Sequence, residues 1–316
     1  LHIGENKRTL LIAEISANHC GSKKKFLDHI IKAKNSGADL VKIQTYEPED
    51  MLVDKDFKIK SGLWKNRNLW KLYESAQTKF EWHYDAFKLA KRMNIELFST
   101  PFSLRALNFL KTFKPKLYKI SSFELTDYKL VSEVAKLNKP IIISTGLSKI
   151  SEIKSAINLI KKYHNKIILM YCVSGYPTPL NDINFEKIQI LRKTTKIPLI
   201  GFSDHTTGIS ASVASLSHKI CIIERHFTIN KKSNSPDAKF SINQKEMIDL
   251  KKYTIHMNKI YNSNKSKIKS EHPSKIFRRS IYAIKDININ QKFTKDNIAC
   301  FRPSLGLGAE QYFKVI

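Results

Sequence analysis

The sequence predicts a (β/α)8 barrel, the TIM-barrel class of α/β fold, followed by a small second domain. Three observations carry that expectation. Short apolar runs alternate with segments of helical period, and strands buried on both faces read as continuous apolar runs in a parallel sheet. There are eight such runs over about 260 residues, the repeat number and length of a closed parallel barrel. Polar, chemically useful side chains gather at the end of nearly every run, which is where such barrels carry their chemistry.

The strands are expected at 10–16 (LLIAEIS), 40–46 (LVKIQTY), 95–100 (IELFST), 117–122 (LYKISS), 140–146 (PIIISTG), 167–173 (IILMYCV), 198–204 (PLIGFSD) and 220–227 (ICIIERHF). Between them lie helical patterns such as KKKFLDHIIKAKNSG, YDAFKLAKRMN and ISEIKSAINLIKKYHN, and a last helix is expected near 243–260. Residues 47–79 form one long connection. It holds Trp64, Trp70 and Tyr73, so it reads as a structured lid or an oligomer contact rather than a linker. The polar stretch NSNKSKIKSEHPSK (262–275) reads as a linker between a barrel domain (1–261) and a small domain (276–316). The small domain stops abruptly at Ile316 and reads as truncated.

Composition narrows the class. The chain has 316 residues, 42% of them hydrophobic, enough for one large core and a small second unit. No run approaches 18 apolar residues, so no membrane span or membrane partner is expected. The start is basic and then apolar, but Glu14 interrupts the apolar stretch and no small-residue cleavage site follows. It reads as the first strand of a cytoplasmic protein. It opens on Leu rather than Met, so a trimmed terminus or an unusual start codon is expected. The four cysteines lie far apart with no CxxC pair, which fits free thiols in a reducing compartment. A net charge of +27 has two readings. One is nucleic-acid binding, which predicts tight, salt-sensitive association and no need for particular histidines. The other is compositional drift, because the lysines are spread over nearly every helix and Asn and Ile are abundant with them. Drift is the reading adopted, and no nucleic-acid partner is expected. The charge still concentrates anionic substrates.

The strand ends carry the chemistry. In order they bear Glu14, Asn18 and His19; Lys42 and Gln44; Ser99 and Thr100; Lys119, Ser121, Ser122 and Glu124; Ser144 to Gly146; Ser174 and Tyr176; Ser203 to His205; and Glu224 to His226. A single Ser at a strand end is usually a turn or cap residue, and a single Lys usually snorkels to the surface. The set is different. Lysines, glutamates and histidines on inward strands are costly to bury without a ligand, and together they suit an anionic substrate and a divalent metal. Ser203, Asp204 and His205 are not a nucleophilic triad, because neighbours on an extended chain point opposite ways. Ser203 and His205 should share one direction. His205 and His226 should project from adjacent strands, a plausible Mn²⁺, Mg²⁺ or Zn²⁺ pair. Lys42, Lys119 and the hydroxyls at 100, 122, 144 and 203 suit a phosphate or carboxylate cradle.

At these residues the sequence closely resembles the sialic acid synthase family. The matching segments are IAEISANHCGS, GADLVKIQTY, FSTPFS, YKISSFEL, KPIIISTG, YPTP, GFSDHT, ERHFT, SPDAKFS and FRPSLGLG, in order over essentially the whole chain. The resemblance implies a barrel followed by a small antifreeze-like (SAF) domain. It also implies condensation of phosphoenolpyruvate with an N-acetylated amino sugar, releasing phosphate. It implies a divalent metal, Mn²⁺ first with Mg²⁺ or Co²⁺ as alternatives, on His205 and His226. Lys42, Thr100, Lys119, Ser122, Ser144, Ser174 and Ser203 match positions that hold phosphoenolpyruvate. Glu14, Glu124 and His226 match catalytic positions, and Gln44, Tyr176 and Asp237 match positions that hold the sugar. Arg302 matches an arginine that reaches the active site of a partner subunit, which implies a domain-swapped homodimer.

SANH, KIQTY, LWKLYESAQTKFEWH and AKFS are most like the pseudaminic acid synthase branch. Its sugar is a 2,4-diacetamido-2,4,6-trideoxy hexose, and the legionaminic and N-acetylneuraminic branches are the alternatives. Phe240 either meets the sugar's C6 methyl or packs in the core. Cys20 and Ser174 stand where the family commonly has Asn, and Ser304 where it often has Gly.

Overall fold

The computed structural model describes residues 3–4, 7–263 and 268–316. It divides into two compact units, Leu1–Asn262 and Ser263–Ile316. In the first unit all eight expected strands form: β1 (Leu10–Glu14), β2 (Leu40–Thr45), β3 (Glu96–Pro101), β4 (Tyr118–Ile120), β5 (Ile141–Ser144), β6 (Ile167–Cys172), β7 (Ile200–Asp204) and β8 (Ile222–His226). Neighbours pair in parallel in the order β3-β2-β1-β8-β7-β6-β5-β4. β3 and β4, the two ends of that order, lie side by side, so the sheet closes on itself. The strands end earlier than most of the apolar runs because the run ends leave the ladder for the loops. Ser16, two residues past β1, has φ +42°.

The helices are α1 (Lys23–Asn35), α2 (Pro48–Met51), α3 (Leu69–Ala76), α4 (Phe80–Arg92), α5 (Leu104–Lys111), α6 (Tyr128–Ala135), α7 (Ile150–Lys161), α8 (Glu186–Thr195), α9 (Ser210–Ser215) and α10 (Gln244–Tyr261). Their starts are set by local chemistry. Ser103 and Asp127 accept the amides of Ala106 and Leu130, and Asn243 with Glu246 forms a capping box on α10. Residues 47–79 hold α2 and α3. Trp64 from this stretch packs on Tyr176, ring centroids 5.8 Å apart. No helix among the described residues is long and apolar enough to cross a membrane.

The period-2 alternation of each strand sorts the core into two layers. Leu11, Ala13, Val41, Ile43, Leu97, Leu169, Phe202 and Ile223 face the helices and form the larger cluster with them. Leu10, Ile12, Leu40, Phe98, Leu117, Ile142, Ile168, Met170 and Ile222 form the smaller cluster that fills the lower barrel. On that inward face the next residue along each strand is polar, and there the site begins.

Asp39, just before β2, ties β1 to α10. Its carboxylate accepts from both Arg8 guanidinium nitrogens (3.0 and 2.7 Å), the Leu11 amide (2.9 Å) and Lys251 (2.7 Å). Burial alone raises its pKa, but these donors hold it below the usual carboxylate range. A depressed folded pKa gives stability that is present above the ordinary value of about 3.9 and lost as pH falls toward the folded value. Asp39→Asn is expected to cost about 2 kcal/mol at pH 7. In urea unfolding, the gap between parent and variant should close below about pH 4; a pH-independent gap would refute this account.

In the second unit β9 (Ser280–Ala283) pairs antiparallel with β10 (Ile298–Phe301), and α11 (Tyr312–Val315) ends it. Of the polar stretch 262–275, residues 264–267 lie outside the described residues. Short 3-10 turns occupy Lys269–Glu271 and Pro273–Phe277.

Candidate active site

Alternation carries seven of the eight strands from apolar lower residues to a polar upper one: Ile12 to Glu14, Leu40 to Lys42, Phe98 to Thr100, Leu117 to Lys119, Ile142 to Ser144, Gly201 to Ser203, Ile222 to Glu224 and His226. All eight of these polar side chains are buried. Four of them are charged at the carboxyl end of the barrel, and they pair. Lys42 Nζ lies 2.5 Å from Glu14 Oε2, 3.7 Å from Glu224 Oε1 and 3.4 Å from Thr100 Oγ1. Lys119 Nζ donates to both Glu224 oxygens at 3.1 Å, and Ser203 Oγ donates to Oε1 at 3.1 Å. The Glu14–Lys42 contact is close but off the hydrogen-bond axis, since neither Glu14 oxygen has an aligned donor among the described residues.

Environment separates the two carboxyls. Burial dominates at Glu14 and raises its pKa above the usual range; Lys42 and His226 oppose the shift, and Glu224 adds to it. At Glu224 burial is outweighed by Lys119 and Lys42, which hold it down to about 2. Lys42 is raised, its two carboxylates outweighing burial, whereas burial lowers Lys119.

Beside this cluster stand the two histidines. Their ring centroids are 5.5 Å apart. Burial, with His226 nearby, lowers the His205 pKa to about 3, so the ring is neutral. His205 Nδ1 lies 2.9 Å from the Val173 carbonyl. A carbonyl only accepts, so Nδ1 carries the proton and Nε2 keeps its lone pair, the tautomer a metal ligand needs. Among the described residues His226 Nδ1 has no aligned hydrogen-bond partner, and it lies 3.4 Å from Asp237 Oδ2. Asp237 is in turn held by the Ala17 amide (3.2 Å) and the Ser16 side chain. Among the described residues no group of three or more His, Cys, Asp or Glu is clustered to hold a metal. The histidine pair therefore fits an open site with positions left for substrate or water, not a closed structural one. Phe240 is buried and sets its ring edge-on to His226 (4.8 Å) and Tyr176 (5.3 Å); Tyr176 lies 4.4 Å from His205. Burial holds the Tyr176 phenol protonated, well above its usual range.

A third group surrounds Gly146, past β5. A Cβ built there would stand 2.3 Å from Ser174 Oγ, 2.8 Å from Cys172 Sγ and 2.9 Å from Ser122 Oγ. Ser122 Oγ accepts the Gly146 amide at 3.1 Å, and Ser174 Oγ is buried without a hydrogen-bond partner among the described residues. Three polar atoms thus converge where only glycine leaves room. Gly146→Ala is expected to cost about 1–3 kcal/mol through overpacking and at least tenfold in activity. Unfolding and turnover measured together check this, and unchanged turnover would remove the group from the site.

The remaining expected residues are less tightly engaged. Gln44 is half-buried on the Lys42 face of β2. Glu124 is half-buried past β4 and accepts from Ser121; burial raises its pKa. Arg302 is exposed in the second unit. Two residues central to the geometry had no role assigned from the sequence: Glu224 and Cys172. The signal for Glu224 was its place two residues before His226, on the same strand face. Asp204 and Arg225 point the other way, as alternation requires, and pair with each other at 2.5 Å.

Known proteins resemble the chain over nearly its whole length. The chain is 37% identical over 316 residues to pseudaminic acid synthase of Campylobacter jejuni subsp. jejuni (strain 81-176), covering 98% of this chain and 92% of that one. It is 34% identical to N,N'-diacetyllegionaminic acid synthase of Campylobacter jejuni subsp. jejuni (strain ATCC 700819), covering 97% and 94%. It resembles the crystal structure of N-acetylneuraminic acid (sialic acid) synthetase from Leptospira borgpetersenii in complex with citrate. The TM-score is 0.77 at 29% identity, covering 87% of this chain and 92% of that one. The NeuB family profile matches residues 29–266, and the chain belongs to the NeuB family.

Proposed function

We propose that this protein is a nonulosonic acid synthase of the pseudaminic acid branch. It condenses phosphoenolpyruvate with a 2,4-diacetamido-2,4,6-trideoxy hexose and releases phosphate. The observation that carries the reading is the buried layer of Lys42, Lys119, Ser203 and Glu224 beside the imidazoles of His205 and His226. It pairs an anion cradle with an open metal position.

C3 of phosphoenolpyruvate forms a bond to the aldehyde carbon of the open-chain sugar, and the aldehyde oxygen takes a proton. Water adds to C2, losing one proton; the C2–O bond to phosphate then breaks as the C2 hydroxyl becomes the ketone and its proton passes to the departing phosphate. A divalent ion held by His205 and His226, Mn²⁺ in this reading, supplies Lewis-acid polarisation when bound. Lys42, Lys119 and the hydroxyls of Thr100, Ser122, Ser144, Ser174 and Ser203 hold the phosphate and carboxylate and offset charge as phosphate leaves. Glu14 and Glu124 are the carboxyl groups at hand for the protons gained and lost. Gln44, Tyr176 and Asp237 hold the sugar, with Phe240 as an apolar wall for its C6 methyl.

A domain-swapped homodimer is part of the proposal, with Arg302 completing a partner's site. The second unit leaves Ile289, Leu305 and Phe313 at 93%, 73% and 81% exposure, apolar surface that a second copy can cover. The four unpaired cysteines support a cytoplasmic setting.

The test is phosphate release from phosphoenolpyruvate with Mn²⁺ and each of three sugars: N-acetylmannosamine and the diacetamido-trideoxy hexoses leading to pseudaminic and legionaminic acids. Release with the pseudaminic precursor alone is expected. Another sugar reassigns the branch, and silence with all three from folded dimer overturns the reading. His226→Ala should abolish release and lower bound Mn²⁺ by metal analysis while the circular dichroism spectrum stays unchanged.

A further inference from the structure

Three of the groups assigned above to phosphoenolpyruvate already hold a carboxylate. Lys119 Nζ is 3.1 Å from both oxygens of Glu224, Ser203 Oγ is 3.1 Å from Oε1, and Lys42 Nζ is 3.7 Å from the same atom. Glu224 is 4% exposed, so water screens none of these contacts well. It does not merely brace the strand. Its backbone already sits in the β7–β8 and β1–β8 ladders, and the side chain crosses the barrel to a lysine on β4. An anion entering the cradle must share both cations with a fixed negative charge.

The geometry points to Glu224 as an internal counter-ion of the anion cradle and a specificity-determining residue. It weakens the grip of Lys42 and Lys119 on a single anionic group, so that a ligand carrying two, a phosphate and a carboxylate on one small molecule, is favoured over free phosphate. This deepens the proposed function and rests on it for the identity of the two-headed ligand. The consequence for turnover is that inorganic phosphate, once its bond to C2 is broken, meets a competitor for the same donors and leaves.

Glu224→Gln keeps the shape and removes the charge. Calorimetric titration with inorganic phosphate, without sugar, is expected to show at least tenfold tighter binding to the variant than to the parent. Phosphoenolpyruvate should gain less than phosphate does. In the steady state kcat should fall while KM for phosphoenolpyruvate holds or falls, and phosphate should become a stronger product inhibitor. A brace without electrostatic function predicts the opposite split, with weaker binding of both anions. Glu224→Asp, which keeps the charge but withdraws it by one methylene, should give a smaller gain and serves if the Gln variant does not fold. Phosphate affinity unchanged or weaker in the folded variants overturns the counter-ion, whatever the turnover. Tighter phosphate binding with no phosphoenolpyruvate turnover in the parent would instead overturn the proposed reaction and leave the counter-ion standing.

Discussion

Lys119→Met is expected to lower kcat/KM for phosphoenolpyruvate by about 10²–10³-fold, the cost of removing one preorganised donor from a developing oxyanion. The side chain lies at 2% exposure between the apolar floor and the polar layer, and Nζ donates to the two Glu224 oxygens. Methionine matches the stem and fills the channel, so packing is nearly conserved. What is lost is the charge. Glu224 then keeps only Lys42 at 3.7 Å and Ser203 at 3.1 Å, and a buried carboxylate short of partners also destabilises the fold. Two readouts separate the effects. Phosphate release measures the loss of anion stabilisation, and urea unfolding measures the loss of pairing. Activity within tenfold of the parent would take Lys119 out of the cradle.

The barrel was legible because a parallel strand buried on both faces leaves an uninterrupted apolar run, and eight such runs punctuated by helices admit few topologies. The site was legible for a related reason. A polar residue inside an apolar run is either a mistake or a site, and Lys42, Lys119 and Glu14 are each placed so. Ser203 and His205 could be assigned to one face and Asp204 to the other from alternation alone, and the hydrogen bonds of Ser203 and Asp204 follow that division. Pairing across the barrel was not legible. Nothing in local sequence says that Glu224 on β8 meets Lys119 on β4, 105 positions away, because that contact depends on barrel diameter and side-chain reach. The Gly146 cluster depends on strand order instead: its three polar atoms come from β6 and from the loops after β4 and β6, the two neighbours of β5 in the sheet, an adjacency that no local stretch of sequence records.

Asp204, between Ser203 and His205, carries the second large prediction. Asp204 faces the helices, where its carboxylate meets Arg225 NH1 at 2.5 Å and receives the Thr206 amide at 2.8 Å and the Ser212 hydroxyl. Arg225 also donates to the Thr206 carbonyl (2.7 Å) and the Phe240 carbonyl (3.3 Å). This pair, at 1% and 0% side-chain exposure, is flanked on both strands by site residues: Ser203 and His205 on one, Glu224 and His226 on the other. Removing one partner strands a buried charge, so Arg225→Met is expected to cost about 3–5 kcal/mol in urea unfolding. Replacing both, as Arg225→Met with Asp204→Leu, should recover much of that loss, because a well-packed apolar pair avoids the desolvation both ions bear. Activity should not recover with it. Phe240 is tied through its carbonyl to Arg225 and through its ring to His226, so without the guanidinium the wall beside the histidines loses its anchor. Recovery of stability and activity together would make the pair a replaceable brace. A single-variant cost under about 1 kcal/mol would show that Asp204 finds enough donors without Arg225.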